Sequence, residues 1–159
     1  MTISRQDWYW LTPFVLAVIL VMAVGGGVTT PAIADWYAGL NRPAWTPPNW
    51  LFGPVWTALY IMMAVAAWLV WRKRRNMRVG LPIAIWAIQL ALNLAWSVLF
   101  FGLRNPMLAL IDIFLLLTMI IATFTLFWPI RRLAGWLLVP YIAWVGYATA
   151  LNYAIWRLN

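Results

Sequence analysis

The chain has no cysteine and no histidine, and its 159 residues carry only three acids against eleven lysines and arginines. Without thiols or imidazoles, disulfides, cysteine nucleophiles, zinc centres and iron held by His or thiolate are all excluded, so no metal site is expected. Charge of either sign is scarce as well. Charged residues make up 9% of the chain and hydrophobic ones 66%, with a mean hydropathy of +0.85. A soluble domain cannot cover itself with so little polar surface, so the expected solvent is a bilayer.

Long apolar runs are what the sequence has instead. A membrane-crossing helix needs about 20 mostly apolar residues, and five stretches qualify: 8–27, 50–71, 79–101, 106–128 and 133–156. Lipid tolerates only helices or closed barrels. Runs such as "LIDIFLLLTMIIATFTLF" (110–127) lack the period-2 alternation of barrel strands. The expected fold is all-α: one five-helix transmembrane domain over residues 1–159, with a structured Pro/Trp-rich loop between the first two helices. An odd number of spans and the lack of an internal repeat argue against an inverted-repeat transporter.

The net charge of +8 would point to nucleic acid in a soluble protein, but the basic residues sit at span ends. With five spans, Arg5, the five basic residues of "RKRRNMR" (72–78) and the pair Arg131 and Arg132 share one side. Arg42, Arg104 and Arg157 share the other. The positive-inside rule then puts the N-terminus in the cytoplasm, the proline-rich loop outside and the protein in a bacterial inner membrane, with no nucleic-acid partner. The basic loop is also suited to attracting anionic headgroups. Residues 14–24 followed by Ala32-Ile33-Ala34 resemble a signal peptide with its cleavage site, but a lone arginine beside Asp7 and the 20-residue span argue for a retained helix. Gly25, Gly26 and Gly27 then either end the first helix or allow a close approach of another.

Counting about 100° per residue separates two faces of the third helix. Ala87, Ala91 and Ala95 form a ridge of small residues of the kind that brings membrane helices close, either in a homodimer or within the bundle. Trp86, Gln89, Asn93, Ser97 and Phe100 occupy nearly the opposite face. Unsatisfied amides in lipid cost several kcal/mol each, so that face is expected to look inward. Stripes on the second helix (Trp56, Tyr60, Met63, Ala67) and the fifth (Tyr141, Trp144, Ala148, Asn152, Ile155) repeat the pattern. Pointed together, the three would enclose either an aromatic chamber with a few amides, suited to a flat apolar ligand with polar edges, or an ordinary core.

Fourteen tryptophans are the largest anomaly. Trp8, Trp10, Trp71, Trp128, Trp136 and Trp156 lie near span ends, where an indole is half in lipid and half in water; Trp68, Trp86 and Trp96 are harder to place. Trp36, Trp45 and Trp50 belong to the outer loop, whose stretch "NRPAWTPPNW" (41–50) is stiffened by Pro43, Pro47 and Pro48. Such a loop is either a preformed lid over the bundle or an interfacial plug. Asp112 is the one acid well inside a span, either a functional group or a structural one bonded to a neighbouring helix.

The runs "WYAGLNRPAWTPPNWLFGPVWTALY" (36–60), "QLALNLAWSVLFFG" (89–102) and "LVPYIAWVGYATALNYAIWR" (138–157) resemble the family of TspO, the tryptophan-rich sensory protein, and the mitochondrial translocator protein once called the peripheral benzodiazepine receptor. The resemblance spans nearly the whole chain in order and spacing. It implies a five-helix bundle, commonly a homodimer, that binds tetrapyrroles such as protoporphyrin IX, isoquinoline ligands and, in some members, sterols. By motif, the ligand-binding residues would be Tyr37, Pro47, Trp56, Tyr60, Asn93, Trp96, Trp144, Ala148 and Leu151. The catalytic pair in members that degrade porphyrin in light and oxygen would be Trp56 and Trp144. A loose sterol motif falls on Leu151, Tyr153 and Arg157, with Tyr153 and Arg157 on the far side of the fifth helix from the chamber. Some relatives are assigned to an outer membrane.

Three functions follow from that resemblance. The first is a membrane receptor that binds a porphyrin and regulates tetrapyrrole metabolism or a stress response. The others are a light-dependent porphyrin-degrading enzyme and a porphyrin or sterol carrier. No cofactor is required. Without histidine or thiolate, a bound porphyrin would be held by packing and hydrogen bonds, with Tyr and Met as the remaining weak axial ligands.

Overall fold

The computed structural model describes residues 8–159; Arg5 and Asp7 of the charge reading lie outside the described residues. Among these, five helices are long and apolar enough to cross a membrane: α1 Thr12–Asp35, α2 Asn49–Trp71, α3 Gly80–Ser97, α4 Pro106–Phe127 and α5 Arg132–Leu158. The protein is an all-α, multi-pass membrane protein. Helix α3 continues through a π-helical turn, Val98–Gly102, so that its span reaches Gly102.

The first span corrects the sequence reading. It does not stop at Gly27 but runs as helix through the three glycines and Pro31 to Asp35. Glycine costs a water-exposed helix about 1 kcal/mol, but a backbone left unpaired in lipid costs several, so the helical bonds persist. Gly25 serves close approach instead: a Cβ there would lie 3.4 Å from the Ser97 hydroxyl oxygen of α3. The Ala32-Ile33-Ala34 triplet lies within this helix.

The short connections behave as their residues dictate. Asn105 caps α4 by accepting from the Leu108 N–H at 3.0 Å, and Pro106 opens the helix where a missing N–H is harmless. Arg104 absorbs the turn with a left-handed φ of 53°. Between α4 and α5 the chain turns at residues 128–131, and α5 begins at Arg132.

Helix α4 packs against both α3 and α5, α5 also against α2, α2 against α1, and α1 against α3. The ring therefore reads α1, α2, α5, α4, α3, with little direct contact between α2 and α3. Its core is continuous where α1 begins and α2 ends: Phe14, Val18 and Val21 meet Leu59, Met63, Ala67 and Trp68, closed from behind by Ile113, Leu116 and Ile120 of α4. Trp68 and Trp86 are buried here, Trp68 stacked on Trp8 at 5.1 Å and Trp86 edge-on to Phe14 at 5.5 Å. A smaller cluster of Tyr37, Phe100, Ala109, Leu151 and Ile155 sits at the opposite end. The bundle is loosely filled between the two, on the α1, α2, α3 and α5 side.

The faces of α3 are as the 100° count places them. Trp86, Gln89, Asn93 and Phe100 are buried, whereas Ala87 and Ala91 are exposed and Ala95 half-buried.

Candidate functional site

The loop between α1 and α2 is held before it reaches any cavity. After α1, a single 3-10 turn, Tyr37–Gly39, drives the Tyr37 ring inward to 3% exposure, against Phe100 and Phe101. The Arg42 guanidinium lies 4.9 Å from the centre of that ring, a cation–π contact. Burial pushes the Tyr37 phenol up, with Arg42 pulling against it. Thr46 then closes the proline segment, its N–H and hydroxyl both donating to the Pro43 carbonyl at 3.0 and 2.7 Å.

Two contacts tie this loop to α5. The Tyr147 hydroxyl donates to the Trp45 carbonyl at 2.7 Å, with the two rings edge to face at 5.6 Å. At the end of α5, Asn159 accepts from the Asn41 N–H and donates to the Asn41 carbonyl, both at 3.0 Å. The loop thus closes over the bundle as a fastened cap, with Trp36 packed edge-on against Phe100.

Beneath it lies a cavity of about 450 Å³, within the range of small-molecule sites. Its walls come from four helices and the cap. Helix α1 supplies Met22, Gly25, Gly26, Thr29, Thr30 and Ile33; α2 supplies its first three turns, from Asn49 to Tyr60. Helix α3 gives Asn93, Trp96 and Ser97, and α5 gives Trp144, Ala148, Leu151 and Asn152; Tyr37 forms the roof. On the α1–α2 side, Gly26, Gly53 and Thr57 line the cavity and are also exposed, so it opens laterally between these two helices.

Polar groups of the cavity floor and wall are paired with one another. The Tyr60 hydroxyl donates to Asn93 Oδ1 at 2.5 Å, and Asn93 Nδ2 donates to the Tyr141 hydroxyl at 3.2 Å. Trp96 Nε1 donates to Asn152 Oδ1 at 3.0 Å, and Asn152 Nδ2 to the Pro106 carbonyl at 2.8 Å. Because the amides bond to one another's neighbours, their positions are fixed before any ligand arrives. Trp56 leans on Tyr60 and edge-on to Tyr141, and Trp144 on Tyr147 and Phe52. Two indole faces are therefore braced at the cavity wall.

Eight of the nine positions singled out from sequence converge here: Tyr37, Trp56, Tyr60, Asn93, Trp96, Trp144, Ala148 and Leu151. Pro47 does not. It lines a separate open depression of the loop with Arg42, Pro43 and Thr46. Of the sterol motif, Leu151 is buried at the cavity, while Tyr153 and Arg157 are exposed on the outer side of α5. Asp112 is buried on α4 and is not among the cavity residues; its Oδ2 has no hydrogen-bond partner among the described residues. Sequence reasoning missed the α1 wall altogether. Its signal was the lack of bulk at Gly25, Gly26, Thr29 and Thr30, which leaves room beside α2.

Comparison with known proteins decides the family. The TspO/MBR family model matches residues 14–157. The chain belongs to the TspO/MBR family. It is 44% identical over 151 residues to the tryptophan-rich protein TspO of Chlorobaculum tepidum, covering 91% of this chain and 94% of that one. It is 39% identical over 154 residues to the human translocator protein, covering 96% and 91%. The tryptophan-rich sensory protein of Cereibacter sphaeroides is 36% identical over 158 residues, covering 98% and 94%. Membership in the TspO/MBR family supports a membrane receptor or sensory role.

Proposed function

We propose that this TspO/MBR protein is a membrane receptor for porphyrins of the protoporphyrin IX type, with a regulatory role in tetrapyrrole metabolism or stress response. The observation that carries the reading is the cavity itself, in which the braced indoles of Trp56 and Trp144 and the polar floor at Tyr60 and Asn93 share one enclosure under the loop. A flat macrocycle gains stacking area from the first and orientation at its polar edges from the second. The lateral opening between α1 and α2 admits an apolar ligand from the bilayer. Basic residues outnumber those of the other side at the end where α2 meets α3 and α4 meets α5, favouring a cytoplasmic N-terminus in a bacterial inner membrane. The exposed Ala87 and Ala91 with Ala95 form the face on which a second copy would pack.

The deciding experiment is a tryptophan-fluorescence titration of the detergent-solubilised protein with protoporphyrin IX in the dark. Saturable quenching, weakened in Trp56→Phe and Trp144→Phe, is the expected result; quenching that rises linearly without saturation would dismiss the receptor. The same indoles favour a second reading, photo-oxidative porphyrin degradation, because a ring at the cavity wall is placed to exchange an electron with an excited macrocycle. Illumination in air separates the two: loss of the Soret band that depends on Trp56 and Trp144 identifies the enzyme, and a stable band the receptor.

A further inference from the structure

At the opposite end of the bundle from the cap, the loop joining α2 to α3 and the turn joining α4 to α5 flank an open groove of about 900 Å³. It is lined by Arg74 and Arg78 of the loop, by Leu81 and Pro82 in the first turn of α3, by Leu126 in the last turn of α4 and by Ile130 of the turn that follows. Arg74 is held in place: its guanidinium lies 4.5 Å from the ring centre of Trp10 and 5.3 Å from that of Trp71, and its Nη1 donates to the Trp71 carbonyl at 3.2 Å. Arg78 and Leu81 are exposed. At the foot of the loop, α3 starts at Gly80 with no side-chain cap and open space over Gly80 among the described residues, which adds the positive end of the helix dipole to the two arginines.

We infer that this groove is a binding site for one phospholipid with an anionic headgroup, its phosphate against Arg74 and Arg78 and one acyl chain along Leu81 and Leu126. Charge complementarity commits the site to this occupant. Among the described residues the only acids are Asp35, which ends α1 at the capped end, and Asp112, in the half of α4 nearer the cap. Among the described residues, no carboxylate lines the groove. The groove lining sets the two arginines beside apolar side chains of the first turn of α3 and the last turn of α4, as a lipid joins a headgroup to acyl chains, and it sits where spans end, at headgroup depth. A diffuse basic surface would share the charge but not that apolar lining.

Native mass spectrometry of the full chain, released from micelles holding equal phosphatidylglycerol and phosphatidylcholine, tests the site. One phosphatidylglycerol should be retained preferentially. Arg74→Gln with Arg78→Gln should reduce that retention by about thirtyfold, whereas Arg75→Gln with Arg132→Gln, an equal loss of charge outside the groove, should leave it intact. Equal losses in the two pairs, or no preference in the parent protein, overturn the proposal. A readout needing no charge variant uses brominated lipids in nanodiscs: brominated phosphatidylglycerol should quench tryptophan fluorescence more than brominated phosphatidylcholine, with the excess lost in Trp71→Phe. Equal quenching by the two lipids would also overturn it.

Discussion

Asn93 and Tyr141 are joined across the bundle, the amide nitrogen on α3 donating to the phenol on α5 at 3.2 Å, while the same amide's oxygen receives the Tyr60 hydroxyl of α2. One side chain thus ties together three helices, two of which, α2 and α3, otherwise touch little. Tyr141 is fully buried and Asn93 nearly so. Replacing Asn93 with leucine leaves both phenols without their partner, at about 1–3 kcal/mol for each orphaned group. Thermal unfolding in detergent should show a lower midpoint for Asn93→Leu, partly restored when Tyr60→Phe is added. An unchanged midpoint in the single variant would mean that the amide is not a structural tie.

The cap should loosen when its fastening to α5 is cut. Tyr147→Phe removes a hydrogen bond worth about 1 kcal/mol but keeps the ring against Trp45. Asn159→Ala removes the paired bonds to Asn41. Hydrogen–deuterium exchange over residues 41–46 should speed up in each variant and more in the double, with the cores of α3 and α4 unaffected. Uniform exchange across all three proteins would show that the prolines alone hold the loop.

The spans, their order and most of the chamber were legible because the bilayer makes hydrophobic length and helical period nearly obligatory. Gln89 and Asn93 could be turned inward on solvation cost alone, and the stripes with Trp56 and Trp144 followed by the same count. What was hidden depends on contacts remote in sequence. The bonds of Asn41 to Asn159 join opposite ends of the bundle sequence, and nothing local marks either residue. The extension of α1 to Asp35 was hidden for another reason: glycine and proline signals calibrated in water lose their force where no water can accept the freed backbone bonds. Pro47, placed in the chamber by motif, lines instead a depression of its own loop.

Two glycines of α5 should respond in opposite ways to the same substitution. A Cβ at Gly135 would come within 2.7 Å of Trp128 Cε3, and that indole is itself wedged against Phe124 and Trp136. A Cβ at Gly146 meets nothing within 4 Å. Gly135→Ala should therefore destabilise by about 1–3 kcal/mol through overpacking, and Gly146→Ala should be neutral or stabilise by up to about 1 kcal/mol through helix propensity. Melting temperatures of the two purified variants check the pair; similar shifts for both would contradict the close packing of α5 on the turn before it.

Filling the chamber should separate binding from folding. Ala148 lines the cavity on α5 and is only half-buried, so a larger side chain there can grow into empty space rather than into a packed neighbour. Ala148→Leu adds three carbons that gain dispersion contacts with the cavity walls, so the fold should hold or strengthen. The same atoms occupy volume that a macrocycle needs between the Trp56 and Trp144 walls, and porphyrin affinity should fall by at least about tenfold, or roughly 1.4 kcal/mol. Parallel melting curves and dark fluorescence titrations distinguish the two effects. Undiminished affinity in a folded Ala148→Leu protein would place the ligand outside this cavity, whereas loss of both stability and binding would mean that the space beside Ala148 closes up in the membrane.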